Sequence, residues 1–217
     1  MKKFNLTIAL AVLLAGCGTT NSALVNRTSV VEYYRIFDIN TEADRYAVAD
    51  AASKGLGRNV GSINEERPIP QSAELPEAPG RFRLDNPLEG TNLGLLAAGS
   101  GNSSRLKIAS CDGAVWIARA RRSTRGSSDL RLTACIWEYK QGFHLDIYAT
   151  FEKQEGGLMQ VSRNMAHAMV GTPEEWTEKT FNDIVRTVQK DTGAEIEYIE
   201  GYPRVEGMPW LDDYDRI

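Results

Sequence analysis

The 217-residue sequence lacks any apolar run of the roughly 18 residues that a membrane-spanning helix needs. It contains only two histidines, which show no zinc-ligand arrangement around the three cysteines. Basic residues are the minority, 25 against 29 acidic residues, and the formal net charge is -4. Because duplex affinity comes mostly from Lys and Arg on phosphates, no nucleic-acid partner is expected. No metal or cofactor is predicted either.

The N-terminus carries the strongest signal. Lys2 and Lys3 precede an apolar run over residues 4–14, which has the length of the hydrophobic region of a signal peptide. The run ends in the motif LAGC, whose cysteine is Cys17, and this motif resembles the lipobox of bacterial lipoproteins. An ordinary secreted protein and a short N-terminal anchor helix are the alternatives. The resemblance is confined to the N-terminus and implies that residues 1–16 are a signal peptide.

In that family the cysteine is lipidated and becomes the new N-terminus. The resemblance therefore implies a lipid anchor on Cys17 and a flexible tether over residues 17–28. Gly18 follows the cysteine instead of Asp, which in the family implies sorting to the outer membrane. The mature domain is then expected to face the periplasm.

Cys111 and Cys135 are the two cysteines that remain if Cys17 is acylated. In an oxidising periplasm an even pair of cysteines is expected to form a disulfide. Such a bridge would close a loop of about 24 residues and stabilise the fold by about 3 kcal/mol on the chain-entropy model. Two buried unpaired thiols are the alternative.

Alternating apolar and polar residues predict a strand meander over residues 105–151. An Asp-Gly pair favours a tight turn, so residues 106–108 and 115–117 are expected to form a first hairpin. Residues 130–139 and 143–151 are expected to form a second one. On the last strand Phe143 and every second residue after it should face the core.

Helices and outer strands are predicted from spacing and caps. Residues 29–39 and 194–202 are expected to be strands, and residues 41–55, 158–170 and 173–191 are expected to be helices. The last helix is the clearest, with Thr172 as N-cap, Pro173 in its first turn, Glu175 completing a capping box and Gly193 at its end.

The predicted fold class is α+β, a mostly antiparallel sheet of five or six strands with about three helices packed on one face. The folded domain is placed at residues 29–202, and residues 203–217 are an irregular acidic tail. Residues 58–101 hold five of the eight prolines and are predicted to be an irregular insertion. This insertion is an exposed partner-binding segment, a loop that wraps over the core, or a disordered stretch.

Two groups of side chains are candidates for function. His144 and Asp146 are the only acid–base pair considered, and they are predicted to lie on a solvated strand face with Tyr148. No nucleophile accompanies them, so no catalytic residues are assigned. The basic run is predicted to lie in the loop between the two hairpins, as a candidate contact with a partner or an anionic surface, with a solvated loop as the alternative. Its members are Arg119, Arg121, Arg122 and Arg125.

These features predict a non-catalytic, outer-membrane-anchored periplasmic lipoprotein that binds an envelope protein or supports an envelope assembly. The alternative is an envelope hydrolase or a small-ligand-binding lipoprotein. That alternative would use His144 with Asp146, or a cavity between the sheet and the helices.

Overall fold

Eight strands and two long helices account for most of the regular structure in the described part of the chain. The computed structural model describes residues 27–69, 74–92, 95–96, 107–123, 129–155 and 171–207. The strands are β1 Arg27–Asn40, β2 Ser62–Glu66, β3 Arg83–Asp85, β4 Ile108–Ser110, β5 Trp116–Ser123, β6 Asp129–Tyr139, β7 Gly142–Glu155 and β8 Glu195–Tyr202. The helices are α1 Arg45–Gly57 and α2 Pro173–Thr192.

Six strands form one antiparallel sheet in the order β2-β5-β6-β7-β1-β8, and β3 with β4 forms a separate two-stranded sheet. The predicted antiparallel sheet of five or six strands is therefore confirmed. The prediction of about three helices is met only in part, since the described residues show two long ones. The predicted helix at residues 158–170 falls outside the described residues.

The two helices begin where a side chain accepts from their free backbone N–H groups, and they end where backbone N–H groups donate to their last carbonyls. The Thr172 hydroxyl accepts from the Glu175 N–H at 3.1 Å, and Glu175 accepts in return from the Thr172 N–H at 2.9 Å. Gly193 closes α2 with a φ of 67°, so the predicted caps of this helix are confirmed. Helix α1 begins later than predicted, because Asp44 is its N-cap and accepts from Tyr46 and Ala47.

The main core lies between the sheet and the helices, on what we call the helix face. The predicted inward positions of β7 are all buried there, and so is a stripe of α2 whose residues recur at helical spacing. The β7 residues are Phe143, Leu145, Ile147, Ala149 and Phe151, and the α2 residues are Phe181, Ile184, Val185 and Val188. Strand periodicity and helix periodicity therefore both assign the core correctly.

The first predicted hairpin is wrong. A turn does form at Gly113, where the Ala114 N–H donates to the Cys111 carbonyl at 3.2 Å. However, β4 pairs with β3, whereas β5 pairs with β2 and β6. An Asp-Gly pair specifies a reversal of the chain, but it does not specify which strand the reversed chain joins.

The proline-rich insertion supplies structure that its composition does not indicate. Strand β2 forms one edge of the main sheet, and β3 belongs to residues 74–85, here called the covering segment. The covering segment lies over the second face of the sheet, opposite the helices. The Lys140 N–H donates to the Pro76 carbonyl at 3.0 Å, and the Phe82 ring packs against Tyr34 and Tyr148 with centroids 5.9 and 5.7 Å away.

A small second core forms beneath the covering segment. Trp137 lies against Gly80 so closely that a Cβ at Gly80 would come within 2.3 Å of the Trp137 ring. The cluster consists of Cys111, Ala114, Ile117, Cys135 and Trp137, with Phe82 packed against it. Residues 74–85 of the insertion therefore wrap over the core, as one of its interpretations predicted.

Candidate functional site

Cys111 and Cys135 form the predicted disulfide, with their Cα atoms 6.2 Å apart. Both residues are buried in the second core, and the bridge ties the chain after β4 to the middle of β6. Cys17, the predicted lipidation site, lies outside the described residues.

The predicted solvated face of β7 is wrong. His144 is 6% exposed and Asp146 is 1% exposed, because the covering segment lies on them. One oxygen of Asp146 is 3.3 Å from His144 Nδ1, and the other accepts from the Phe82 N–H at 3.0 Å. A general base must come within hydrogen-bond distance of its substrate, so this pair offers little to the hydrolase alternative. The non-catalytic assignment remains a prediction.

The basic run is not a loop cluster. Strand β5 continues to Ser123, so Arg119, Arg121 and Arg122 are strand residues, whereas Arg125 lies outside the described residues. Arg119 and Arg121 occupy the second face. Arg122 points to the helix face, where its guanidinium lies 4.2 Å from the Trp176 ring centre, and burial lowers the pKa of Arg122.

Arg119 and Arg121 line a groove of about 420 Å³ on the second face, which we call the basic groove. Four cations line it, Lys107, Arg119, Arg121 and Arg131, together with three hydroxyl residues, Thr133, Tyr148 and Thr150. None of the described residues that line the groove carries a carboxylate.

The strand register places these side chains in two rows across the sheet. Arg119 on β5 stands opposite Thr133 on β6, which stands opposite Tyr148 on β7. One pair further along, Arg121 stands opposite Arg131, and Arg131 stands opposite Thr150. Like charges directly opposite each other on neighbouring strands are unfavourable. Arg121 and Arg131 each already have an interaction partner, which offsets this repulsion.

Carboxylates pair with the cations from the ends of the groove. Lys107 Nζ is 2.9 Å from Glu32, and Arg119 Nη1 is 2.5 Å from Glu66. Glu152 follows Thr150 by two residues on β7 and shares its face. These partners moderate the positive charge without entering the lining.

Tyr148 is the most buried polar side chain of the lining, at 5% exposure. Its hydroxyl makes no hydrogen bond of ordinary geometry within the described residues. Burial, followed by the charge of the nearby Glu32 carboxylate and its hydrogen-bonding interaction with the hydroxyl, raises the pKa of Tyr148 far above its ordinary value. The hydroxyl is therefore directed toward Glu32.

A second groove, of about 560 Å³, lies beside the disulfide. It is lined mainly by apolar groups, among them Leu75, Val115 and Trp137. Two of its carboxylates are already paired, since Asp112 lies 2.5 Å from Arg83 and Glu138 lies 2.7 Å from Arg45. Because these carboxylates are paired, this groove offers a ligand mainly apolar contacts, whereas the basic groove offers four cations.

Sequence reasoning identified two of the four groove cations and missed Lys107 and Arg131. The sequence alone does not indicate that Arg131 lies beside Arg121. Once β5 and β6 are known to be neighbours, their register determines that Arg131 faces Arg121. That register depends on the connection between the strands, which apolar alternation does not specify.

Two further properties bear on the site. In the part of the chain that the structure describes, no three or more His, Cys, Asp or Glu side chains are placed to hold a metal ion. No helix within the same ranges is long and apolar enough to cross a membrane. Comparison with models of known protein families gives no match, and no curated protein matches the sequence.

Proposed function

We propose that this protein is a non-catalytic, lipid-anchored protein of the bacterial envelope that binds an anionic component of that envelope in the basic groove. The observation that carries the proposal is the composition of the groove, which is lined by four cations and three hydroxyls and by no carboxylate among the described residues. An anion supplies the charge that this lining lacks.

The opposed arginines strengthen the argument. Arg121 and Arg131 face each other across neighbouring strands, so an anion between their guanidinium groups would contact both of them. Side chains fixed on strands also lose less freedom on binding than side chains on a mobile loop, so more of the interaction energy appears as affinity.

The N-terminal signal supports the cellular setting. A lipid on Cys17 and a tether that ends where β1 begins, at Arg27, would keep the domain close to the outer membrane on its periplasmic side. The anchor would restrict the domain to envelope partners and would raise their effective concentration.

Binding of a free small ligand is a second candidate, and the size of the groove favours it. At about 420 Å³ the groove falls within the volume range of ligand pockets. In this version the protein captures a soluble anion instead of contacting an envelope component.

Photo-crosslinking in intact cells tests the proposal. A photoreactive benzoylphenylalanine at position 133, inside the groove, should form a discrete adduct with envelope material. Replacing Arg121 and Arg131 by Gln in the same chain should reduce this adduct at least about tenfold, since a loss of about 1.4 kcal/mol is enough for that change.

Arg67→Gln is the matched control, because Arg67 pairs at 2.5 Å with Asp50 on α1, away from the groove. This variant should leave the adduct unchanged. An adduct that persists at full strength without Arg121 and Arg131 would refute binding through the basic groove.

A further inference from the structure

We infer that the end of the main sheet at which β1 begins docks on the lipid bilayer, with the exposed side chains of Leu95, Leu96 and Ile108 inserted among the lipids. We call this end of the sheet the tether end. The inference rests on the lipid that the proposed function places on Cys17, and it adds a second, lipid-contacting surface to that function.

The length of the chain before β1 brings the tether end to the bilayer. Ten peptide units separate Cys17 from Arg27, where β1 begins. A chain of that length spans at most about 35 Å in any conformation. The other end of β1, at Asn40, can lie about 43 Å further from the anchor. A lipid on Cys17 therefore holds the tether end, and not the far end of the sheet, at the membrane surface.

The strand register places the basic groove close to the tether end. Glu32 lies five residues after Arg27 on β1, a distance of about 17 Å along a strand. It stands opposite Thr150 of β7, which belongs to the groove lining. Ile108 lines the same groove and is 55% exposed. A large apolar side chain therefore faces solvent on the side of the molecule that the anchor draws to the lipid.

Leu95 and Leu96 are 72% and 71% exposed and lie near the same groove. The Leu95 N–H donates to the Thr91 carbonyl at 3.1 Å, which is the hydrogen bond of a helical turn about 6 Å long. The Thr91 N–H donates to the Leu88 carbonyl at 3.1 Å and closes a turn less than about 7 Å across. Because Leu88 directly follows Pro87 of the groove lining, the two leucines lie within about 20 Å of the groove.

A lipid surface suits these side chains better than a protein partner does. A stable protein interface buries about 800 Å² on each side, with matching shapes, whereas lipids rearrange around separate side chains. Full transfer of one leucine side chain out of water favours the bound state roughly ten- to hundredfold. The anchor already holds the domain at the bilayer, so docking does not have to offset the entropy of bringing the two together.

The cations near this surface contribute little to the docking. Lys107 and Arg119 each pair with a glutamate, and Arg121 and Arg131 also have partners. The attraction to the bilayer therefore comes from the apolar side chains, and it needs no anionic lipid. Docking in this orientation would bring the opening of the basic groove to the membrane surface, where the proposed function requires it.

Quenching of a fluorescent label by brominated lipids tests the inference. The full-length lipidated protein carries an NBD group on Leu96→Cys and is reconstituted into phosphatidylcholine vesicles. The label reacts only with the introduced thiol, since Cys111 and Cys135 are bonded to each other. Lipids brominated near the headgroup should lower the fluorescence at residue 96 at least about twofold, because an interfacial side chain lies about 5–10 Å deep, among the acyl chains.

The same label on Ile69→Cys is the matched control. Ile69 is 89% exposed, and it lines the groove beside the disulfide with Trp137 and Glu138, at the far end of the sheet. Brominated lipids should not quench the label there. No quenching at residue 96, or equal quenching at both positions, would overturn the inference.

A double variant shows whether the leucines hold this surface on the bilayer. With the NBD group on Ile108→Cys, replacing Leu95 and Leu96 by Asp should reduce the quenching at residue 108 to the level at residue 69, because charged side chains are expelled from lipid. Ile69→Asp should leave the quenching at residue 108 unchanged. All these side chains are exposed, and thermal unfolding verifies that each variant folds. Full quenching in the folded double variant would contradict the inference.

Salt and protein density separate lipid insertion from other contacts. Quenching should persist in about 0.5 M salt, where the Debye length falls to about 4 Å. Loss of quenching at this salt concentration would mean that charges hold the surface, and it would refute apolar insertion. A fluorescence change that follows protein density and not lipid bromination would indicate a second copy of the chain, which also refutes it.

The two proposals fail in different ways. Intact-mass measurement establishes the lipid on Cys17 before reconstitution, so a lipidated protein without quenching at residue 96 refutes only the docking. A chain without the lipid refutes the proposed anchor. Quenching at residue 96 without a groove-dependent crosslink in cells refutes binding through the basic groove and leaves the docking supported.

Discussion

Asp146 shows how individual buried polar residues hold the covering segment on the sheet. One of its oxygens accepts from the Phe82 N–H at 3.0 Å, and the other lies 3.3 Å from His144 Nδ1. Because Asp146 is almost completely buried, its two oxygens cannot easily exchange these partners for water. Asp146 therefore stabilises the folded protein by the free energy that would be lost if the Phe82 N–H had no partner.

We predict that Asp146→Leu lowers the free energy of unfolding by about 1–3 kcal/mol, because it leaves the partly buried Phe82 N–H unsatisfied. Asp146→Asn keeps an acceptor for the Phe82 N–H and should cost less. Chemical denaturation gives both values, and hydrogen exchange at Phe82 should be faster in the Leu variant only. Equal stabilities for Asp146→Leu and the unaltered protein would show that this hydrogen bond does not hold the covering segment.

At the scale of elements, the contact between α1 and α2 is the closest approach of the two helices on the sheet. Gly55 lies against the backbone of α2, and a Cβ there would come within 2.6 Å of both the Asp183 carbonyl oxygen and the Ile184 Cα. Gly57, one half-turn further along, has only Ile63 within 4 Å of a Cβ, at 3.8 Å. Substituting each of these two glycines of α1 by alanine therefore distinguishes two effects. The change at Gly55 tests close packing, and the change at Gly57 tests helix propensity.

We predict that Gly55→Ala destabilises the protein by about 1–3 kcal/mol, since the helices must separate to admit one methyl group. Gly57→Ala should leave stability unchanged or raise it by up to about 1 kcal/mol, because alanine favours helix more than glycine does. Thermal and denaturant unfolding measure both effects. Similar losses for the two variants would show that the close contact of Gly55 with α2 is not what makes its substitution costly.

At the scale of the whole molecule, the disulfide and the covering segment join parts of the chain that are distant in sequence. Residues 74–85 pack onto β7, and Cys111 is bonded to Cys135 on β6, so this part of the second face is covered. The basic groove lies beside the covered part, and Lys107 reaches it from the chain just before β4. In the proposed function the Cys17 lipid then determines where this groove is displayed.

We predict that cells grown with an alkyne analogue of palmitate label the unaltered protein, and that Cys17→Ser abolishes this label because it removes the acylated thiol. Intact-mass measurement of the purified protein should show a chain that begins at residue 17. A variant with both Cys111 and Cys135 replaced by Ser is the matched control and should remain labelled. Labelling that survives Cys17→Ser would exclude lipidation at this residue.

Local patterns predicted the elements whose information lies close together along the chain. Thr172, Glu175 and Gly193 mark the ends of α2 by hydrogen bonds within a few residues, and the alternation from Phe143 to Phe151 assigns one face of β7 to the core. The β6–β7 hairpin was predictable for the same reason, since its turn and both of its strands are continuous in sequence.

Long-range pairing settled what those patterns left open. Alternation places His144 and Asp146 on one face of a strand, but whether water or another segment covers that face depends on residues 74–85, more than fifty positions away. The basic groove likewise exists only because the register of β5 on β6 brings Arg121 opposite Arg131. Periodicity depends only on residues that are close in sequence. Burial and register depend on which distant segments make contacts strong enough to offset the entropy lost when the loops between them close.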